Sequence, residues 1–187
     1  MARAKKSSQQ KPLALELLWN DHRTVEALFE QYDAEKEDED DAREQTAERI
    51  CSELTVHAQV EEELFYPWLR ENLDEEDMEL LEEAHVEHST LKDLIAQIQS
   101  DDGTDAECDA KVKVLGEYVK HHVKEEENEI FEKIADKAEE LDELGQEMYA
   151  RKAELAEEMG LTQPEEDASS KAGRRDREED SGQRESR

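Results

Sequence analysis

The stretch HAQVEEELFYPWL, residues 57–69, reads as one face of a helix with an unusual burden. An α-helix turns about 100° per residue. With His57 at zero, Ile50 and Trp68 fall at about +20°, Glu61 at about +40°, Leu54 at about +60° and Phe65 at about +80°. An imidazole and a carboxylate thus lie inside the stripe that the helix should bury. Glu62 and Glu63 fall well away from it and read as solvated charges.

Working outward, the 187 residues allow one domain with polar ends. Charged residues make up 42% and the net charge is -31, a field that repels nucleic acid and anionic membranes and favours cations. Cys51 and Cys108 are the only cysteines and lack metal-type spacing, which reads as thiols in a reducing compartment. With no apolar run of membrane length or signal type, the expected location is cytoplasmic, with neither membrane nor nucleic acid as partner.

Helical periodicity recurs along the chain and strand-like alternation does not. Residues 1–11 read as a disordered basic arm. Pro12 suits the start of a helix over 12–34 with Leu15, Leu18, Trp19, Val25 and Phe29 at helical spacing. The acidic DAEKEDEDDARE (33–44) leads into a second helix, about 42–70, and ENLDEED (71–77) turns the chain. A third helix covers about 76–99, SDDGTD (100–105) is a turn, and a fourth helix runs about 106–137. The predicted fold is therefore all-α, an up-down four-helix bundle over 12–137. A C-terminal accessory helix follows over 138–160, lying across or beside the bundle, and a disordered charged tail over 161–187.

The motif of the second helix repeats in the fourth. With His122 at zero, Leu115 falls at about +20°, Glu126 at about +40°, Val119 at about +60° and Ile130 at about +80°. Glu125 and Glu127 flank that stripe, and His121 points away. His22 lies among the apolar residues of the first helix, and His88 among Leu81, Ala84, Leu91 and Ile95 of the third. His85 sits about 60° from His88, at the edge of the stripe. Four helices each bring imidazole to the core, and two add glutamate. A buried carboxylate without a partner costs several kcal/mol, and no lysine or arginine shares these faces nearby. A bound metal removes that cost, and facing helices with His and Glu four apart are how bundle cores hold metals. The donors include no cysteine set for structural zinc and too many imidazoles for Mg²⁺ or Ca²⁺. Their number suits two six-coordinate ions with bridging carboxylates, iron first and manganese second.

NDHRTVEALFEQY (20–32), HAQVEEELFYP (57–67), EEAHVEHSTLKDLI (82–95) and HHVKEEENEIF (121–131), in that order, resemble the bacterial hemerythrin-like (HHE cation-binding) domain. The resemblance covers about 12–137 and implies a four-helix bundle holding a non-haem di-iron centre, carboxylate- and oxo-bridged, that binds dioxygen. It implies His22, His57, Glu61, His88, His122 and Glu126 as ligands, with Glu61 and Glu126 as bridges. His85 joins the candidate set as a fifth imidazole. The chain departs from the oxygen carriers of that family in two places. His85 and His88 are three apart rather than four, and Glu126 stands four after His122 where the carriers have an aspartate at five.

Two functions fit the same residues: a protein binding O₂ or NO, or an enzyme that decomposes peroxide or acts as an oxidase, with no separate acid or base evident. The expected pocket walls are Trp19, Phe29, Phe65 and Trp68. Ferritin-like iron oxidation needs two Glu-x-x-His motifs, and Glu82–His85 is the one such spacing here. A metal-free helical interaction module is the remaining alternative.

Overall fold

A computed structural model of the chain describes residues 11–35, 40–100 and 106–161. The disordered arm and tail expected from the sequence lie outside these residues, apart from Lys11 and Leu161, and so does the turn expected at 100–105, apart from Ser100. Five long helical segments form a bundle, and the described residues contain no strand. Helix α1 spans Leu13–Ala34 and α2 spans Asp40–Val60. A π-helical turn, Glu61–Phe65, links α2 to α3, Tyr66–Asn72. After a 3₁₀ turn at Glu75–Asp77 comes α4, Met78–Ser100. Helix α5, Ala106–Glu125, passes through a second π turn, Glu126–Ile130, into α6, Phe131–Ile134. Helix α7 spans Ala138–Glu158 and ends at Gly160, whose φ of 68° lets Leu161 N–H donate back to Ala156.

Side-chain pairs fix the directions. Gln31–Thr46 sets α1 against α2, Arg70–Glu82 sets α3 against α4, Lys133–Asp77 sets α6 against the start of α4, and Tyr32–Asp109 sets α5 against α1. All four neighbours are antiparallel. Helix α7 instead runs parallel to α1. Asp142 accepts from the N–H of Leu13 at 2.8 Å, and Lys152 pairs with Asp21. A Cβ on Gly145 would sit 2.5 Å from both Ala14 N and Leu13 Cβ, so the two backbones touch there. Because α1 is covered on two sides, it buries Ala14 and Leu17 as well as Leu15, Leu18 and Val25 of the expected stripe, while Trp19 of that stripe is exposed.

Each π turn adds one residue to a helical turn and slips the downstream stripe by one position. A uniform helix through 42–70 puts Trp68 inward and Tyr66 about 180° from His57. Instead Tyr66 and Leu69 are buried and Trp68 is half-buried. Pro67 gives a local reason: it has no N–H to donate to Glu63 and its ring crowds that carbonyl, so an α-helical register is disfavoured. The π bond closes just before it, from Tyr66 N–H to the Glu61 carbonyl. The second π turn, closed from Phe131 N–H to the Glu126 carbonyl, has no such proline.

The core has two apolar clusters. One packs Leu17, Val60, Phe65, Leu81 and Ile134 against Leu141 and Met148 of α7. The other packs Val25, Ile50, Leu54, Ile95 and Leu115 among α1, α2, α4 and α5. Between them lies a layer of buried ionisable side chains: Asp21, His22, His57, Glu61, His88, His122 and Glu126.

Candidate metal centre

The layer is assembled by the four helices of the bundle, with both glutamates at the first position of a π turn. Two donor groups emerge. His22, His57, Glu61 and Glu126 offer atoms all within 4.8 Å of one another, and so do Glu61, His88 and His122. Glu61 belongs to both. Its Oε2 is 3.3 Å from His57 Nε2 and 3.2 Å from His88 Nε2, and His88 Nε2 is 3.2 Å from His122 Nε2. On the other side His22 Nε2 is 3.0 Å from Glu126 Oε2. Neighbouring donors around an octahedral ion with bonds of about 2.1 Å stand about 3 Å apart, which is the spacing seen.

Several of these atoms have no other partner. Apart from the approach of His22 to Glu126, both carboxylate oxygens of Glu61, both of Glu126 and Nε2 of His22 are buried without a hydrogen-bond partner. Orphaned acceptors in one dry layer are costly unless a cation sits among them. Their number and type fit a pair of metal ions.

The far nitrogen of each histidine faces a carboxylate. His22 Nδ1 meets Glu127 at 2.8 Å, His57 Nδ1 meets Asp21 at 3.5 Å, His88 Nδ1 meets Glu62 at 3.2 Å and His122 Nδ1 meets Glu87 at 2.9 Å. Glu127, Glu62 and Glu87 hydrogen-bond their rings and leave Nε2 to point inward, whereas Asp21 Oδ2 faces His57 Nδ1 without closing a hydrogen bond. Glu62 therefore is not the free solvated charge that a helical wheel suggests, and Glu127 does more than flank the stripe. Wheel geometry does not show this, because each carboxylate reaches across to a different helix. Tyr66 is a further residue of the site that the wheel misses. Its hydroxyl lies 2.9 Å from His88 Nε2.

Charge within the layer follows from these contacts. Burial pulls the pKa of His57 down to about 4 despite Asp21, keeping the ring neutral and able to ligate. Burial also opposes charge on His22, but its hydrogen bonds to Glu126 and Glu127 win and hold its pKa at about 10. For Glu61, burial and then the charge of Glu126 push the carboxyl well above its ordinary range. Burial acts the same way on Glu126, yet the bond to His22 outweighs it and the carboxylate stays ionised. Protons on His22 and Glu61 thus occupy ground that a cation would neutralise.

His85 is not brought to the centre: it is exposed on α4, on the outer side of the stripe. Glu26, which stands four residues after His22 and so falls by helical spacing on the same face, has a side chain 59% exposed and paired with Arg23. Of the four expected aromatic walls, Phe29 lines a cleft that reaches His22, but none lines the small cavity beside the four histidines. Trp19 is turned to the surface beneath Lys11 and Arg23, and Phe65 packs with Phe131 in the cluster nearer α7. That cavity, of about 20 Å³, is walled instead by Val25, Leu54, Leu91, Ile95 and Val119. That is room for a molecule of about the size of water.

The family model for the hemerythrin HHE cation-binding domain matches residues 13–134. The chain belongs to the hemerythrin HHE family. The domain binds cations, and the matched span contains every donor described above. A solved hemerythrin HHE domain protein from Mycobacterium kansasii superposes with a TM-score of 0.63 over 76% of this chain and 86% of that one, at 22% identity, and so shares the fold. A protein described as a DNA nickase from Nostoc sp. (strain PCC 7120 / SAG 25.82 / UTEX 2576) is 31% identical over 114 residues, 60% of this chain. This hemerythrin-family chain spans 32% of that relative's length. None of its described helices is long and apolar enough to cross a membrane.

Proposed function

We propose that this chain holds two non-haem iron ions, with manganese as the lesser candidate, and uses them to bind O₂ or a related small ligand such as NO. The observation that carries the reading is Glu61, whose one carboxylate serves both donor groups. A shared carboxylate is what a two-ion centre requires. His22, His57 and Glu126 would complete one ion's protein donors, and His88 and His122 the other's. When bound, such ions supply open coordination positions and one-electron chemistry for a small ligand. The protein's own share is separate. Glu62, Glu87 and Glu127 hold three imidazoles in one tautomer, Asp21 faces the fourth, and the aliphatic walls of the cavity keep water scarce beside them.

A second reading, decomposition of peroxide, is favoured by one feature. The buried Tyr66 hydroxyl gives the layer a proton donor within hydrogen-bonding distance of His88 Nε2, which plain ligand storage does not need. The match to a nickase carries no nucleic-acid reading here, because a net charge of -31 opposes a phosphate backbone.

The test is metal analysis of protein expressed in iron-rich medium, with absorption spectra in air, after anaerobic reduction and under NO. Two irons per chain and a ligand-dependent spectrum are expected. A fully folded chain that retains no metal overturns the proposal.

A further inference from the structure

Three of the four carboxylates behind the histidines are paired outward with a permanent cation. Glu127 meets Arg23 at 2.7 Å, Glu62 meets Lys92 at 2.5 Å and Asp21 meets Lys152. The first two cations come from helices of the bundle itself. Lys152 comes from α7, the helix outside it.

Its arrival is built into the packing. Gly145 and Lys152 are seven residues apart on α7, and Ala14 and Asp21 are seven apart on α1. Two helical turns separate each pair, so both members share a face. The missing side chain of Gly145 lets α7 touch the α1 backbone at Ala14. In this parallel register the next contact two turns on is Lys152 with Asp21. Arg151 secures the same turn of α7 by reaching Glu63 at 2.6 Å.

Asp21 is 6% exposed, with Oδ1 on Lys152 and Oδ2 toward His57 Nδ1. Removing Lys152 would leave a buried carboxylate whose charge is compensated only through the imidazole. We infer that Lys152 is a positioning residue of the metal centre: it draws the charge of Asp21 outward, limits the electron donation of His57, and so makes α7 a determinant of the centre's reduction potential. This rests on the two-ion reading above. The sign follows from charge. Loss of a cation near the centre, with Asp21 Oδ2 then free to close its 3.5 Å separation from His57 Nδ1 into a hydrogen bond, favours the more positively charged, oxidised ions. Hydrogen bonding around ligands is a recognised control on such potentials.

The experiment compares iron-loaded full-length wild type, Lys152→Met and Lys152→Arg by metal analysis, thermal melting and spectroelectrochemical titration. Lys152→Met is expected to keep wild-type iron content and to shift the oxidised-to-reduced balance at least tenfold toward the oxidised form, about 59 mV downward for one electron. Lys152→Arg, which restores the charge, is expected to titrate with wild type. In the zinc-loaded proteins, the His57 Nδ1–H proton resonance should move downfield in Lys152→Met and stay in place in Lys152→Arg. A wild-type protein that retains no metal pair overturns the underlying reading. A loaded Lys152→Met protein with wild-type potential and wild-type His57 resonance overturns the role of Lys152 alone, as does an arginine variant that shifts as far as the methionine one.

Discussion

The Tyr66 hydroxyl stands 2.9 Å from His88 Nε2, although an uninterrupted helix would put Tyr66 on the face opposite His57. The π turn at Glu61–Phe65 supplies the missing rotation. It begins at the glutamate common to both donor groups, so one backbone irregularity leaves Glu61 in the layer and swings a phenol in behind it. Tyr66→Phe is expected to retain wild-type metal content. If peroxide is the physiological ligand, the same substitution should slow oxygen evolution at least tenfold, measured with an oxygen electrode.

Glu61 carries opposite consequences for binding and for stability. Glu61→Gln removes the shared charge and should abolish the loading of both ions, read by metal analysis. In chelator-treated protein it should stabilise the fold by about 1–3 kcal/mol, because burial beside Glu126 makes Glu61 take up a proton to fold at neutral pH, a cost that the neutral amide escapes. Urea titration of the metal-free proteins checks the sign. A metal-free Glu61→Gln protein less stable than wild type would contradict the orphaned state of that carboxylate.

The six donors are separable from the neighbours that share their sequence motifs. Alanine at His22, His57, His88 or His122 should each lower metal content by one ion or more per chain. His85→Ala and Glu26→Ala should leave it unchanged, since both side chains face solvent. Mass-spectrometric metal counting on the six variants decides this.

Gly145→Ala tests the contact between α1 and α7. In a helix this change normally stabilises by up to about 1 kcal/mol. Here the added carbon would lie 2.5 Å from Ala14 N, against backbone that cannot turn aside. The expectation is a loss of about 1–3 kcal/mol by overpacking, seen as a lower melting temperature. Gly116→Ala, whose added carbon meets the Phe29 ring at 3.3 Å, should cost less.

The far end of the bundle is tied by Asp109, which accepts from Tyr32 at 3.0 Å and pairs with Arg43 and Lys113. The bond from Lys113 leads the contacts that hold Asp109 below its ordinary pKa of 3.8. A carboxylate depressed on folding contributes stability that is present above its unfolded pKa and lost as pH falls through the folded one. Burial, with the Asp109 charge adding to it, raises Tyr32 from 10.0 to about 12. That contribution is complete below pH 10.0 and disappears as pH rises through about 12. Asp109→Asn should therefore flatten the acid side of the melting-temperature profile below about pH 4 and leave neutral metal content intact.

Most of the architecture is legible in the amino-acid order. Long stripes such as Val112, Leu115 and Val119 are insensitive to a one-residue error, and Pro12 and Gly160 punctuate the helices. The inward histidines are equally plain, because an imidazole flanked by aliphatic residues at helical spacing is carried into the interior with them. What escapes is whatever depends on a neighbouring helix or a broken period. Glu62 looks solvated and Glu127 merely flanks the stripe on their own helices, and they acquire partners only from α4 and α1. Tyr66 and Leu69 are displaced by a π turn, for which Pro67 is the one local hint. The second π turn has no sequence marker of that kind. Lys152 is invisible for a further reason: the wheel of α7 says nothing about which residue of α1 it meets.

The layer of ionisable side chains divides the interior into two oily halves joined across a charged seam. Ions that enter only the folded form add RT ln(1 + [L]/Kd) to its stability. Starvation for metal then does more than silence the centre. By the same relation it is expected to loosen the join between the halves and to leave the folded chain more open to proteases.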